Sequence, residues 1–150
     1  MSETIVIRPY KESDIPSIAE IEKECFSQPW SINALHEFTE NPFGRIIIAE
    51  LAGKVAGYVT YSEIFEELQI ANVAVSESFR RIGLGKRLID NLIDIGNNRN
   101  AEIITLEVRT SNIAARALYE KCGFVSVGER KNFYSNPTEN AVLMNYTFLS

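Results

Sequence analysis

The chain has 150 residues, 45% of them apolar and 23% charged, which fits one globular domain with a buried core and excludes a disordered chain. Its net charge of −5 argues against direct nucleic-acid binding, which needs a basic face, while leaving room for long-range attraction of a Lys/Arg-rich protein partner. No apolar run approaches the ~20 residues of a membrane span, and the opening Met1-Ser2-Glu3-Thr4-Ile5 lacks the pattern of a secretion signal, so a cytoplasmic protein that meets no membrane is expected.

Thr4 to Arg8 alternates around Ile5 and Ile7 and reads as a first strand. Ser13-Asp14 offers a helix cap with Pro16 in the first turn, and Ile15, Ile18, Ile21 and Glu22 keep helical spacing as far as Cys25 and Phe26. Pro29 breaks that helix; Ser31 caps a second, short one carrying Leu35 and Phe38, which Asn41-Pro42 ends. Three strand-like runs follow, Arg45 to Leu51, Lys54 to Glu63 and Glu67 to Val75, the first two joined through Ala52-Gly53 as a hairpin. Leu84, Leu88, Leu92 and Ile95 then share one helical face up to Gly96-Asn97-Asn98, where a left-handed C-cap is expected. Glu102 to Val108 reads as a strand, Ser111 as the cap of a helix that Gly123 stops, and Phe124–Phe133 with Asn140–Phe148 as a closing antiparallel pair. The order β-α-α-β-β-β-α-β-α-β-β mixes hairpins with β-α-β crossovers, so the expected class is α/β (α+β mixed): a central mixed sheet with helices on both faces.

Chemistry concentrates where Val73-Ala74-Val75 ends a strand and Arg80-Arg81-Ile82-Gly83-Leu84-Gly85-Lys86 leads into a helix. Free N–H groups and the positive helix end converge there on a place suited to an anion. Gly83 and Gly85 permit close backbone approach, and Arg80, Arg81 and Lys86 add positive charge to an acidic protein. On spacing alone the stretch is equally a tight turn before a basic helix. It is neither a Walker A loop nor GxGxxG. One histidine and two widely spaced cysteines, Cys25 and Cys122, leave no ligand set for zinc, and no metal is expected.

Asn72 through Leu88 resembles the acetyl-CoA motif of the GNAT family of N-acetyltransferases, and the order of elements is similar over nearly the whole chain. The resemblance implies a sheet splayed between two parallel strands with acetyl-CoA in the gap. It implies pantetheine along Val73, Ala74 and Val75, and pyrophosphate held by Arg80, Arg81, Ile82, Gly83, Leu84, Gly85 and Lys86. Four further blocks resemble the ribosomal-protein-alanine N-acetyltransferases (RimI type): Glu24 to Ser31, Leu106 to Asn112, Leu118 to Phe124 and Gly128 to Tyr134. Archaeal and eukaryotic N-terminal acetyltransferases share part of this pattern. The implied acceptor is the N-terminal amine of a ribosomal protein, and the enzyme is expected as a monomer or homodimer.

Such a transfer needs a neutral amine, and a peptide N-terminus (pKa near 8) is neutral at pH 7 more often than a lysine (near 10.4) by a factor on the order of hundreds. Glu107 stands on a strand built otherwise of Ile103, Ile104, Leu106 and Val108; apolar surroundings would raise its pKa toward that of a base, whereas a pairing with Arg109 would make it structural. Tyr119 reads as a core tyrosine with its hydroxyl at the surface or as an acid. The resemblance favours Glu107 as general base and Tyr119 as general acid, and implies that Asn112 hydrogen-bonds the cofactor. It also implies that Phe133-Tyr134 meets the peptide, with Phe133 standing in place of a tyrosine, while Phe26, Pro29 and Trp30 read as an apolar wall near the peptide or, more readily, as plain core. Glu63, Glu66 and Glu67 could attract an amine or be a solvated loop. A covalent route through Cys122 is not favoured, since no histidine is near in sequence. Two readings stay open: acetylation of a lysine or small amine, and a non-catalytic acetyl-CoA-binding regulatory module.

Overall fold

The computed structural model describes residues 4–148; the reading of Met1–Glu3 falls outside them. β1 (Ile5–Pro9) leads through a 3-10 turn at Glu12–Asp14 into α1 (Ile15–Cys25) and α2 (Ile32–Glu40). β2 (Gly44–Leu51), β3 (Lys54–Ile64) and β4 (Glu67–Val75) follow as a meander. α3 (Leu84–Asn98), β5 (Ile103–Arg109), α4 (Ile113–Lys121), β6 (Val125–Tyr134) and β7 (Glu139–Thr147) complete the chain. The expected order of elements and the mixed sheet are both present, and all strand pairs but β4–β5 are antiparallel.

Local chemistry explains most boundaries. Ser31 Oγ accepts from Ala34 N at 3.0 Å and caps α2. Ala52 (φ 55°) and Gly53 (φ 74°) both adopt the left-handed backbone of a two-residue hairpin turn. Gly123 (φ 102°) stops α4. Three expected caps differ. The Asp14 carboxylate does not cap α1 but takes the Arg8 guanidinium at 2.8 and 3.0 Å and Lys11 N at 2.7 Å, tying β1 to the helix start. Asn112, not Ser111, caps α4, its Oδ1 accepting from Ala115 N at 3.1 Å. Gly96 lies inside α3, which runs to Asn98, and the left-handed residue beyond it is Asn100 (φ 58°). Gly96 serves packing instead, because a Cβ there would meet Phe148 Cζ at 2.3 Å.

The seven strands lie in the order β1-β2-β3-β4-β5-β7-β6. α1 and α2 cover one face over Ile46, Ile48, Tyr58 and Ala74. The larger core lies on the other face, where Leu84, Leu88, Ile89 and Leu92 of α3 and Tyr119 of α4 meet Ile47, Val59, Leu68 and Ile104. β4 and β5 are the parallel neighbours, paired only from Glu67↔Ile103 to Gln69↔Thr105. Past that point β4 carries a bulge: Ile70 faces Tyr61 and Asn72 faces Thr60, with Ala71 unpaired. A bulge bends its strand. From here β4 follows β3 while β5 follows β7, and the sheet opens between them.

Candidate active site

The opening is a cleft of about 440 Å³. Ile70, Ala71, Asn72 and Val73 form one wall, Leu106 to Arg109 the other. Phe26, Ser27, Gln28 and Trp30 from the α1–α2 connection close one side; Asn112, Ala115 and Tyr119 of α4 and Phe133-Tyr134 of β6 complete it. Glu107, Tyr119, Asn112, Trp30, Phe133, Tyr134 and Val73 of the expected site therefore share one cleft.

Alternation along β5 decides what faces the opening. Leu106 and Val108 turn into the core, leaving Glu107 and Arg109 half-buried on the opposite face. The expected competitor for Glu107 is otherwise engaged: Arg109 donates to Ser135 O (2.7 Å), Pro137 O (2.9 Å) and Glu139 Oε1 (3.1 Å), reaches Ser27 Oγ (3.4 Å), and lies over the Tyr134 ring at 4.6 Å. Among the described residues no hydrogen bond or ion pair engages the Glu107 carboxylate. Glu139 is held down to about 2 by hydrogen bonding, first from the Ser111 hydroxyl and also from the Ser111 N–H, Arg109 and Thr110, against the desolvation that opposes it. This clamp pins the β6–β7 turn at the mouth of the cleft.

Tyr119 packs its ring against Phe124, with centroids 5.7 Å apart. Burial, then the neighbouring Tyr134 and Cys122, push its phenol well above the usual range. Its hydroxyl has no hydrogen-bond partner among the described residues, and it borders the cleft. Burial and then the Glu107 charge push the Tyr134 phenol up to about 12. Both phenols keep their protons at neutral pH. Trp30 joins two expectations, lining the cleft while its ring meets Phe38 at 5.2 Å. Glu63 does not reach the opening, because it is spent on Arg45 (3.2 Å) and Arg99 (2.8 Å).

A second cavity of about 430 Å³ lies beyond the end of β4, lined by Val75, Phe79, Arg80, Arg81, Gly83, Leu84, Gly85, Lys86, Ala114, Leu118 and Lys121. Gly83 stands at the N-cap of α3 with φ 82°, a left-handed backbone that costs a side chain about 1–2 kcal/mol. No side chain caps α3, so its first N–H groups remain available to an anion. Gly85 is small because a Cβ there would crowd Leu118 Cδ2 at 3.0 Å. Arg80 bends back to Val75 O (3.2 Å) and Cys25 Sγ (3.3 Å), and Lys86 pairs with Asp90 at 2.7 Å. Ile82 is exposed, with Ala74 buried against α1 and α2. Neither lines a cavity through its side chain, so any ligand contact there would come from backbone.

Four roles escaped the sequence reading. Cys25 lines the cleft, and burial raises its thiol pKa. Lys121 adds a cation to the second cavity. Arg109 is a clamp rather than a partner for Glu107. Glu22 is fully buried, its carboxylate accepting from Trp30 N (2.9 Å), Asn72 Nδ2 (3.0 Å) and the Tyr58 hydroxyl. The available signal for Glu22 was one acid on the apolar stripe of α1. Burial likewise raises the Cys122 thiol, which disfavours a thiolate nucleophile.

The family to which the chain is matched identifies it as an N-acetyltransferase, and the opened sheet with its uncapped glycine turn is consistent with that class. The chain belongs to the acetyltransferase (GNAT) family, whose model matches residues 15–124. It is 34% identical over 142 residues to the [ribosomal protein bS18]-alanine N-acetyltransferase of Escherichia coli strain K12, covering 92% of this chain and 94% of that one. The crystal structure of the ribosomal-protein-S18-alanine N-acetyltransferase from Escherichia coli superposes with a TM-score of 0.91 at 30% identity, covering 98% of this chain and 96% of that one. Ard1 from Thermoplasma volcanium superposes with a TM-score of 0.88 at 29% identity, covering 97% and 99% respectively.

Proposed function

We propose that this enzyme moves the acetyl group of acetyl-CoA to the N-terminal α-amine of a protein, the N-terminal alanine of a small-subunit ribosomal protein, in a ternary complex. The observation that carries the acceptor is the relation over nearly the whole chain to an enzyme named for that reaction. The cleft supports it: one carboxylate without a partner among the described residues and one buried phenol border the same opening.

In this reading the pantetheine arm lies along Val73, Ala74 and Val75. The pyrophosphate lies on Arg80, Arg81, Ile82, Gly83, Leu84, Gly85 and Lys86, and Asn112 adds a polar contact. The peptide enters between Trp30 on one side and Phe133-Tyr134 on the other. The amine attacks the thioester carbon and Glu107 takes its proton; the C–S bond breaks, and the departing thiolate takes a proton from Tyr119. Proximity supplies much of the gain, since both reactants are held in one cleft. The chain acts as a single domain in the cytoplasm, as a monomer or homodimer, without direct contact to nucleic acid or membrane. Among the described residues no helix is long and apolar enough to cross a membrane.

The test is thiol release from acetyl-CoA with short peptides bearing free or blocked N-termini, a lysine-only peptide and spermidine. Turnover confined to free N-termini, with kcat reduced ~10²–10⁴-fold in Glu107→Gln and acetyl-CoA affinity kept, is expected. Turnover on lysine or spermidine alone overturns the acceptor. Acetyl-CoA binding with no turnover of any amine favours a regulatory module.

A further inference from the structure

Among the described residues, Asp14 and Glu22 are the buried charged side chains. Asp14 has the Arg8 guanidinium at 2.8 Å. Glu22, at 0% exposure, has no cation within ion-pair distance among the described residues, only three donors. A carboxyl group sealed in a core without a counter-ion is costly, and the stripe formed by Ile15, Ile18 and Ile21 would pack an apolar residue there at less cost.

The three donors come from three separate segments. Trp30 N–H belongs to the α1–α2 connection, which contributes Phe26, Ser27, Gln28 and Trp30 to the cleft. Asn72 stands beside the bulge of β4, where its N–H is given to Thr60 Oγ1 at 3.0 Å and its side-chain amide to Glu22. Tyr58 lies on β3, opposite Ala74 of β4. Burial and the Glu22 charge push its phenol far up, so it stays protonated and donates.

We propose that Glu22 is a positioning residue for acetyl transfer: it ties the wall that receives the acceptor to the cofactor strand at its bulge, and so sets the distance between amine and thioester. The inference rests on the reading of the cleft given above. Reacting atoms must stand roughly 3–3.5 Å apart, and a misplacement of about 1 Å can cost 10²-fold. The connection lies between two helices; beside the packing of Phe26 and Trp30, Ser27 to Arg109 at 3.4 Å is its other side-chain hydrogen bond to the sheet among the described residues.

Glu22→Gln keeps the volume, and its amide oxygen can still accept from Trp30 N–H. Its amide nitrogen then stands where the carboxylate accepted from the Tyr58 hydroxyl and Asn72 Nδ2, so the charged acceptor is lost and the link to β4 survives only as a neutral contact, after the Asn72 amide turns over. Asn72→Ala removes the same link from the other end at a half-buried site, which keeps the test available if Glu22→Gln fails to fold. Both variants are expected to lower kcat/KM for the acceptor about 10- to 100-fold, with kcat falling and acceptor KM rising while the acetyl-CoA Kd holds. The double variant should be no worse than either single one. Trp30 is the single tryptophan of the chain, so in Glu22→Ala, which leaves Trp30 N–H without its acceptor, its emission should shift to the red and become more open to acrylamide quenching.

Wild-type kcat and acceptor KM in a folded Glu22→Gln or Asn72→Ala protein overturn the proposal. So does an equal loss in acetyl-CoA affinity and acceptor KM, which marks general loosening. The variants are compared on whichever amine the wild type turns over. Failure of the acceptor reading is therefore seen in the wild type alone, and Trp30 quenching tests the tether without any acceptor.

Discussion

Glu107 and Arg109 project from the same face of β5, two residues apart, and sequence spacing alone pairs them as readily as it separates them. The structure separates them because Glu139 and the carbonyls of Ser135 and Pro137 compete for the guanidinium. Those partners lie some 30 residues away in the chain, which is why the outcome was not legible locally. Tyr119 was legible only as a choice between core and site, and it is both, with a buried ring and a hydroxyl bordering the cleft. Its raised pKa carries a sign that can be checked. A phenol held above its ordinary value of about 10 stays protonated through the alkaline range, so the kcat profile should show no descending limb below about pH 10. Tyr119→Phe should lower kcat ~10²-fold or more without changing acetyl-CoA affinity. An alkaline limb near pH 9 that disappears in Tyr119→Phe would contradict the raised pKa, and a Tyr119→Phe kcat equal to wild type would refute the acid assignment.

At the scale of elements, strands and helices were readable where the apolar period met a strong stop, as at Asn41-Pro42, Ala52-Gly53 and Gly123. The insertion of β7 between β5 and β6 was not, since pairing across the sheet depends on long-range packing. Gly96 misled because a glycine near a helix end has two possible causes, and here the cause is Phe148 rather than backbone φ. Helix propensity alone predicts that Gly96→Ala gains about 1 kcal/mol. The 2.3 Å approach to the Phe148 ring predicts a loss of about 1–3 kcal/mol from overpacking, and the collision should win. Denaturant titration should find Gly96→Ala less stable than wild type, and the same change made in Phe148→Ala should be stabilising. The clamp between the start of α4 and β7 makes a pH-dependent prediction. The carboxyl of Glu139 is held at about 2 against an ordinary 4.5, so its contribution is fully present above pH 4.5 and fades as pH falls toward 2. The Tm gap between wild type and Glu139→Gln should be constant from pH 5 to 7 and close below pH 4.5. A gap that widens on acidification would contradict the clamp.

Over the whole molecule, charge is divided in a way the net value conceals. The chain carries −5 overall, yet Arg80, Arg81, Lys86 and Lys121 gather around one cavity at the end of β4. Such a field should draw an anionic cofactor to that cavity, while the acidic remainder attracts a basic acceptor peptide. Both attractions weaken with salt, because the screening length drops from ≈ 10 Å at 0.1 M to 3 Å at 1 M. The two can be separated through Arg81 and Lys121, for which no side-chain hydrogen bond or ion pair is found among the described residues, in contrast to Arg80 and Lys86. Replacing Arg81 and Lys121 by Gln should raise the acetyl-CoA Kd and flatten its dependence on ionic strength. The salt dependence of KM for a basic N-terminal peptide should stay as in wild type. Equal flattening of both would mean that one shared field, rather than a local cationic cavity, governs the approach of the two substrates.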